Sequence, residues 1–321
     1  MLNKLVLSFF LFLINFVSPN VFSEQLYFNK TQVGDKTKFE YKWQNNNARP
    51  YSLDFELNTK AINSDFRHFK SLTPSRLQMY SVKKLKQAAS QLDPRKGSVK
   101  IKPSYQGVEF EFKSTSREWM EQQSVTLKNV YDSSLKDYLH QEYYIEFQPI
   151  GYRGNSSTLS YKPDHVRFAK ESADSLAPII KRLKKILPRA NARRTAIFLL
   201  SWLQTIPYST LESRTQSNGS GFSPPIKLIS NNKGDCDSKV TLMASILKAM
   251  YPRLRVAIIY VPEHALIGLN VSHLSTDYKL QIDGLDYTLA EPTGPRMIKF
   301  SEISERSKKF IESGMYQTEI F

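Results

Sequence analysis

Cysteine is nearly absent from this chain: Cys236 is the single one in 321 residues. A lone thiol cannot close an internal disulfide, so no disulfide framework supports the fold. Histidine is scarce too, with five. Apolar runs long enough to cross a bilayer are also missing. The longest, from Leu5 to Val17, falls short of the roughly 20 residues that a membrane span needs. It follows Lys4 and is followed by a polar break, Ser18-Pro19-Asn20, and then by Val21-Phe22-Ser23. That is the layout of a secretory signal peptide. Residues 1–23 are therefore expected to be the signal, with a soluble periplasmic or secreted protein starting near Glu24; an uncleaved N-terminal anchor is the alternative. Internal repeats and low-complexity tracts are absent.

What is present is ordinary for a globular protein: 40% hydrophobic and 23% charged residues, enough for a sizeable core. The formal net charge is +15, with one positive charge in the expected signal. Half of the residues from Lys181 to Arg194 are basic. Such a balance suits anionic partners in the cell envelope, or a solvated helix face. Export and the lack of any nucleic-acid-binding motif argue against nucleic acid. The oligomeric state is not legible.

Two domains are expected, residues 24–163 and 164–321. In the first, Phe39, Tyr41 and Trp43 alternate with polar neighbours, as do Leu53, Phe55 and Leu57, with Gln44 to Asn47 between them. That reads as a β-hairpin with one buried face. Thr73-Pro74 opens a helix in which Val82, Leu85, Ala89 and Leu92 would face inward, stopped by Pro94. Val99–Lys102 and Val108–Phe112 read as a strand pair around Gln106-Gly107, residues 116–140 as a helix, and Tyr143–Phe147 as a strand. This mixed α+β region carries no nameable chemistry. A Gly-, Asn- and Ser-rich stretch between Pro149 and Ser160 begins the boundary zone. A helix near Lys170–Leu187 could belong to either side.

The second domain holds the chemistry. Lys233-Gly234 is a turn, and Asp235 or Cys236 starts a helix whose inner face carries Val240, Met243, Ala244, Leu247 and Met250. A thiol in a first helical turn meets unpaired N–H groups and the helix dipole, which favour a thiolate. Asp235 and Asp237 act against it, so a histidine partner decides the balance. His264 begins a strand after the buried strand Ala257–Val261. The strand-like segments Tyr278–Ile282 and Tyr287–Ala290 follow, joined at Asp283-Gly284, and Glu291 ends the second. A helix-borne thiol, a strand-borne imidazole and a later acid make a nucleophile–base–orienter set. Glu291 is the favoured acid and Asp283 the alternative, since Asp283 belongs to a turn. The other four histidines are expected at the surface or in packing.

Gly234-Asp235-Cys236-Asp237-Ser238-Lys239, the lone His264 before a strand, and Tyr287-Thr288-Leu289-Ala290-Glu291-Pro292-Thr293-Gly294 together resemble the transglutaminase-like cysteine hydrolases of the papain-like superfamily. The resemblance covers residues 191–321, and Leu203 to Tyr208 is similar to that family's lead-in helix. It implies an α+β domain with the nucleophile helix packed on an antiparallel sheet, and a triad of Cys236, His264 and Glu291. Two departures stand out. The family's commonest acid is an aspartate, and its histidine is often followed by Ala-Trp rather than Ala-Leu.

For acyl transfer an oxyanion hole is needed. The Cys236 backbone N–H is one candidate donor and Gln204 a second, unless Gln204 is a capping residue. Tyr208 and Trp202 are expected in the core. No cofactor is expected, and Asp235 and Asp237 are too few carboxylates to predict a hard-cation site. The expected function is an exported thiol amide hydrolase, most simply a peptidase, with a protein or peptide of the cell envelope as substrate. Acyl transfer to an amine, cleavage of cell-wall peptide cross-links, and a non-catalytic binding module are the alternatives.

Overall fold

A computed structural model describes residues 24–104, 107–148, 160–212, 221–294 and 297–321. The expected signal at 1–23, Gln106 and most of the 149–160 stretch lie outside these. The chain opens with β1 (Gln25–Val33), β2 (Lys36–Gln44) and β3 (Pro50–Asn58), an antiparallel sheet in the order β1-β2-β3. The expected hairpin is β2–β3, and Phe39, Tyr41, Trp43, Leu53, Phe55 and Leu57 are all buried on one face. The edge strand β1 is an addition that its sequence does not advertise, since its burial follows no alternation.

α1 (Thr59–Ser64) and α2 (Pro74–Ala89) come next, then the hairpin β4 (Ser98–Ser104) and β5 (Gly107–Lys113). In α2 the buried stripe is Leu77, Ser81 and Leu85; Val82 and Ala89 are half-buried and Leu92 lies past the helix end. The 25-residue α3 (Arg117–Gln141) is capped by Ser116, whose hydroxyl accepts from the Trp119 N–H. β6 (Tyr144–Phe147) pairs with β7 (Ser160–Pro163). The helix expected over 170–187 is two helices, α4 (His165–Glu171) and α5 (Ala177–Ile186). Pro178 explains the break: it fits the first turn of α5 but could not sit inside a continuous helix.

α6 (Ala192–Thr205), α7 (Pro225–Asn231) and α8 (Cys236–Met250) then precede β8 (Val256–Val261), β9 (His264–Leu269), β10 (Lys279–Ile282) and β11 (Leu285–Ala290). α9 (Glu305–Glu312) and β12 (Gln317–Ile320) close the chain. The last five strands form one antiparallel sheet, ordered β10-β11-β9-β8-β12. In β8, Val256, Ile258 and Tyr260 point to one hydrophobic cluster, and Ala257, Ile259 and Val261 to another, which reaches Ile311 of α9. Side chains alternate along a strand, so a sheet covered on both faces reads as an unbroken apolar run. The fold is α+β with antiparallel sheets, and α8 packs against β8 and β9.

The main core crosses the expected boundary at 163/164. One cluster joins Phe39, Trp43 and Phe55 of the first sheet to Trp202 of α6, Ile229 of α7 and Met243 of α8. Trp202 receives Tyr41 and Phe55 edge-on, at centroid distances of 5.2 and 6.3 Å. Polar ties accompany the packing: the Tyr41 hydroxyl donates to the Ile229 carbonyl (3.2 Å) and the Trp43 indole to Ser201 (3.1 Å). Among the described residues, no helix is long and apolar enough to cross a membrane.

Candidate active site

Cys236 is the first residue of α8, and three contacts set its position. Asp235 is the N-cap, its carboxyl accepting from the Ser238 N–H at 3.0 Å. Gly234 exchanges backbone bonds with the end of the α6 segment, donating to Pro207 (3.2 Å) and accepting from Ser209 (3.1 Å). A Cβ at 234 would come within 2.7 Å of the Leu228 side chain, which would have to shift to admit it. One turn on, the fully buried Lys239 donates from Nζ to the Ile206 carbonyl at 2.5 Å, satisfying the C-cap residue of α6.

His264 opens β9 across a two-residue turn, Pro262-Glu263, with Val261 and His264 paired. Glu263 takes the left-handed conformation that such a turn demands (φ 62°). The Ala265 N–H lies close enough to the Cys236 sulfur to favour its charged form, so the thiol sits near the start of β9. β11 runs antiparallel to β9 with Ala290 opposite Ile267, so the chain leaving β11 heads back toward His264. Glu291 is the next residue, and its Oε1 lies 2.6 Å from His264 Nε2.

The carboxylate is fully occupied. Its Oε2 accepts from the Ser304 N–H at 2.7 Å, and Oε1 also accepts from the Ser304 hydroxyl at 3.2 Å. Ser304 is the N-cap of α9, so the helix dipole also favours negative charge there. Burial alone would push this carboxyl up, but the hydrogen bonds from His264 and Ser304 outweigh it and hold it below its usual value. Since Glu291 is ionised and only accepts, His264 Nε2 carries a proton and Nδ1 is left with the lone pair. His264 keeps 22% of its side-chain surface exposed, enough for a substrate to meet it.

Gln204 is buried, and its amide donates to the carbonyls of Glu291 and Ile298, each at 2.9 Å. Both Nε2 protons are spent, so Gln204 cannot be the oxyanion donor expected from its place in sequence. It instead holds the segment carrying the acid. Gly294 presses on the same residue so closely that a Cβ there would overlap the Gln204 carbonyl. Asp283 sits exposed in the β10–β11 turn, with positive φ at both Asp283 and Gly284, and makes no recorded bond to His264.

Tyr208 is 51% exposed, not in the core, and its phenol lies close enough to Cys236 for charge on the sulfur to raise its pKa, after burial. The signal for it is the Pro207-Tyr208 pair next to the Gly234 turn, visible only once those segments are bridged. Trp202 is fully buried, as expected.

The thiol departs from the expectation of a depressed pKa. Burial pushes Cys236 well above its ordinary value, Asp237 and Asp235 add to this, and the Ala265 and Asp237 N–H groups oppose it without prevailing. The resting thiol is protonated rather than a standing thiolate, so a base must take its proton before it can attack.

A second polar cluster lies beside the thiol. Cys236 Sγ donates to Asp237 Oδ1 at 3.7 Å, and Asp237 Oδ2 is 3.9 Å from Nε2 of His165. His165 is buried in α4, not at the surface, and its Nδ1 is 2.7 Å from the Tyr260 hydroxyl. That hydroxyl also contacts Glu319 (2.8 Å) and Lys162 (3.1 Å). Nothing in the sequence around His165 marks it, because its partners come from β7, β8, α8 and β12.

Comparison of the chain with protein-family models, with curated proteins and with solved structures finds no match. The site therefore stands on its own geometry. Among the described residues, no group of three or more His, Cys, Asp or Glu is arranged to hold a metal ion.

Proposed function

We propose that this chain is a thiol amide hydrolase of the transglutaminase-like kind, exported to the periplasm or beyond, with Cys236 as nucleophile, His264 as base and Glu291 as the orienting acid. One observation carries it: a buried glutamate holds His264 Nε2 at 2.6 Å, and the N–H of the next residue, Ala265, lies near enough to the Cys236 sulfur to favour its charge. The residue types and their order along the chain resemble that family, and the helix-on-antiparallel-sheet arrangement is compatible with it.

In this reading His264 Nδ1 takes the thiol proton as the sulfur attacks the amide carbonyl. Glu291 stabilises the imidazolium that results. The Cys236 N–H, with Tyr208, faces the developing oxyanion. Collapse breaks the C–N bond, His264 returns its proton to the leaving amine, and a thioester remains. Water then releases the acid, completing a peptidase cycle; an amine in place of water would complete a transamidation. The chemistry suits a peptide or protein of the cell envelope.

The test is to incubate purified wild type and Cys236→Ala with envelope protein and to map termini and cross-links by mass spectrometry. New termini with wild type alone are the expected result. New cross-links without new termini would move the reading to acyl transfer. Identical samples would overturn catalysis and leave a binding module.

A further inference from the structure

The cluster beside the thiol has a defined proton pattern. Glu319 only accepts, so the Tyr260 hydroxyl spends its proton on Glu319 Oε2 at 2.8 Å. Lys162 only donates, and it reaches both Tyr260 (3.1 Å) and Glu319 (2.7 Å). The remaining neighbour of the hydroxyl, His165 Nδ1 at 2.7 Å, must then supply its own proton. Burial first, and Lys162 second, hold the His165 pKa well below its usual value, so the ring is neutral. Nε2 is therefore a bare lone pair. It is buried, has no hydrogen-bond partner, and faces Asp237 Oδ2 at 3.9 Å.

Two acceptors facing one another are unfavourable where one of them, His165 Nε2, is fully buried, even though Asp237 keeps 30% of its side chain exposed. A proton on Asp237 removes the conflict. We propose that His165 is a positioning residue for the nucleophile: its bare Nε2 holds Asp237 as an uncharged carboxylic acid, so that the sulfur meets a neutral group rather than a carboxylate. The inference deepens the reading of Cys236 as nucleophile and rests on it. Closing the 3.9 Å gap to a hydrogen bond of about 2.8 Å takes a small rotation of one carboxyl group. Oδ1 is then carbonyl-like and accepts from Sγ.

The surroundings agree. Asp235 precedes the thiol at the start of the same helix, and it disfavours a second carboxylate only where it is itself ionised, above about pH 8. Lys162 from β7 favours one, but its charge is matched by Glu319 of β12. The phenols of Tyr208 and Tyr260 are held above their usual range and are uncharged at neutral pH. His264 of β9 also faces Asp237, favouring its charged form only when protonated. Burial is the largest influence on Asp237 and raises its pKa.

The experiment is the pH profile of Cys236 alkylation by iodoacetamide in the purified protein, a readout that needs no substrate. Asp237→Asn mimics the protonated acid, so its rate at neutral pH should stay within about twofold of wild type. A rise of about tenfold or more would mean that wild type carries a carboxylate there, and would overturn the proposal. His165→Phe keeps a ring against Phe222 but removes the acceptor. It should move the profile up by about one pH unit, and the shift should vanish in the His165→Phe, Asp237→Asn double variant. An equal shift in both backgrounds would mark His165 as merely structural and also overturn the proposal. His165→Gln, which restores an acceptor toward Asp237, should recover the wild-type profile. His264→Ala separates the two claims. If it leaves the wild-type profile untouched, the catalytic reading fails, while the coupling between residues 165 and 237 is still read from the same thiol.

Discussion

At Glu291, carboxylate oxygens accept from His264 on one side and from the Ser304 N–H on the other. Glu291→Gln keeps the shape but can accept on one side only. If the amide NH2 turns to His264, Nε2 becomes the acceptor, Nδ1 takes the proton, and the base is lost. Turnover should fall by about ten-thousandfold, as expected when an imidazole is held in the wrong tautomer. Steady-state kinetics against any substrate the termini reveal would check it, and an unaffected kcat would remove Glu291 from the mechanism. A second prediction concerns Gly294. Gly294→Ala must displace either the Gln204 carbonyl or the loop after Glu291. Overpacking of this kind costs about 1–3 kcal/mol, measurable by urea unfolding. Tyr208→Phe should leave stability unchanged, since the ring is 51% exposed, and slow turnover by about tenfold or more if the phenol donates to the oxyanion.

The elements carrying the triad were legible because local signals agree there. A Gly-Asp-Cys turn into an amphipathic run gives α8, and the Asp283-Gly284 pair gives the β10–β11 hairpin, with both residues at positive φ. What stayed illegible is set by distant partners. Ser304 caps α9 and holds Glu291 across 13 positions, and His165 meets Tyr260 across 95. Gln204 was placed correctly at the end of α6 but given the wrong task, since its acceptors lie 87 and 94 residues away. The start of α8 also makes a pH prediction. Burial, and then Asp237, raises the Asp235 pKa to about 8. Between about pH 4, where the unfolded carboxyl titrates, and about pH 8 the folded chain keeps a proton that the unfolded chain has lost. Stability from this group is thus full below the lower limit and is lost as pH rises through the upper one. Lys239, lowered by burial to about 8, has the opposite sign: its penalty is relieved as pH climbs from there toward the unfolded value of about 10.4. Asp235→Asn should therefore gain on wild type steadily across the acid-to-neutral window in urea titrations. A constant gap between the two would show that Asp235 is ionised throughout.

Across the whole molecule, the first sheet is not an appendage. Trp43 and Phe55 enter the cluster that contains Met243 of the nucleophile helix. The ties in that interface include Lys30 Nζ on Ser230 (2.7 Å) and Gln25 on Asn232 (3.1 Å), both at the end of α7, close before Gly234. Loosening the sheet should therefore reach the turn that positions Cys236. Trp43 is fully buried, with its indole N–H on Ser201 and its ring against Phe198 at 5.4 Å. Trp43→Ala should cost about 3–5 kcal/mol, the usual range for emptying a buried aromatic site. Because the core is shared, the loss should be felt at the thiol as well as at the sheet. Tryptophan fluorescence and Cys236 labelling, followed together through a urea titration, should give one coincident transition in wild type and one, shifted to lower urea, in the variant. If labelling held its midpoint while fluorescence moved, the sheet would fold as a separate unit, and the boundary at 163/164 would divide two independent domains after all.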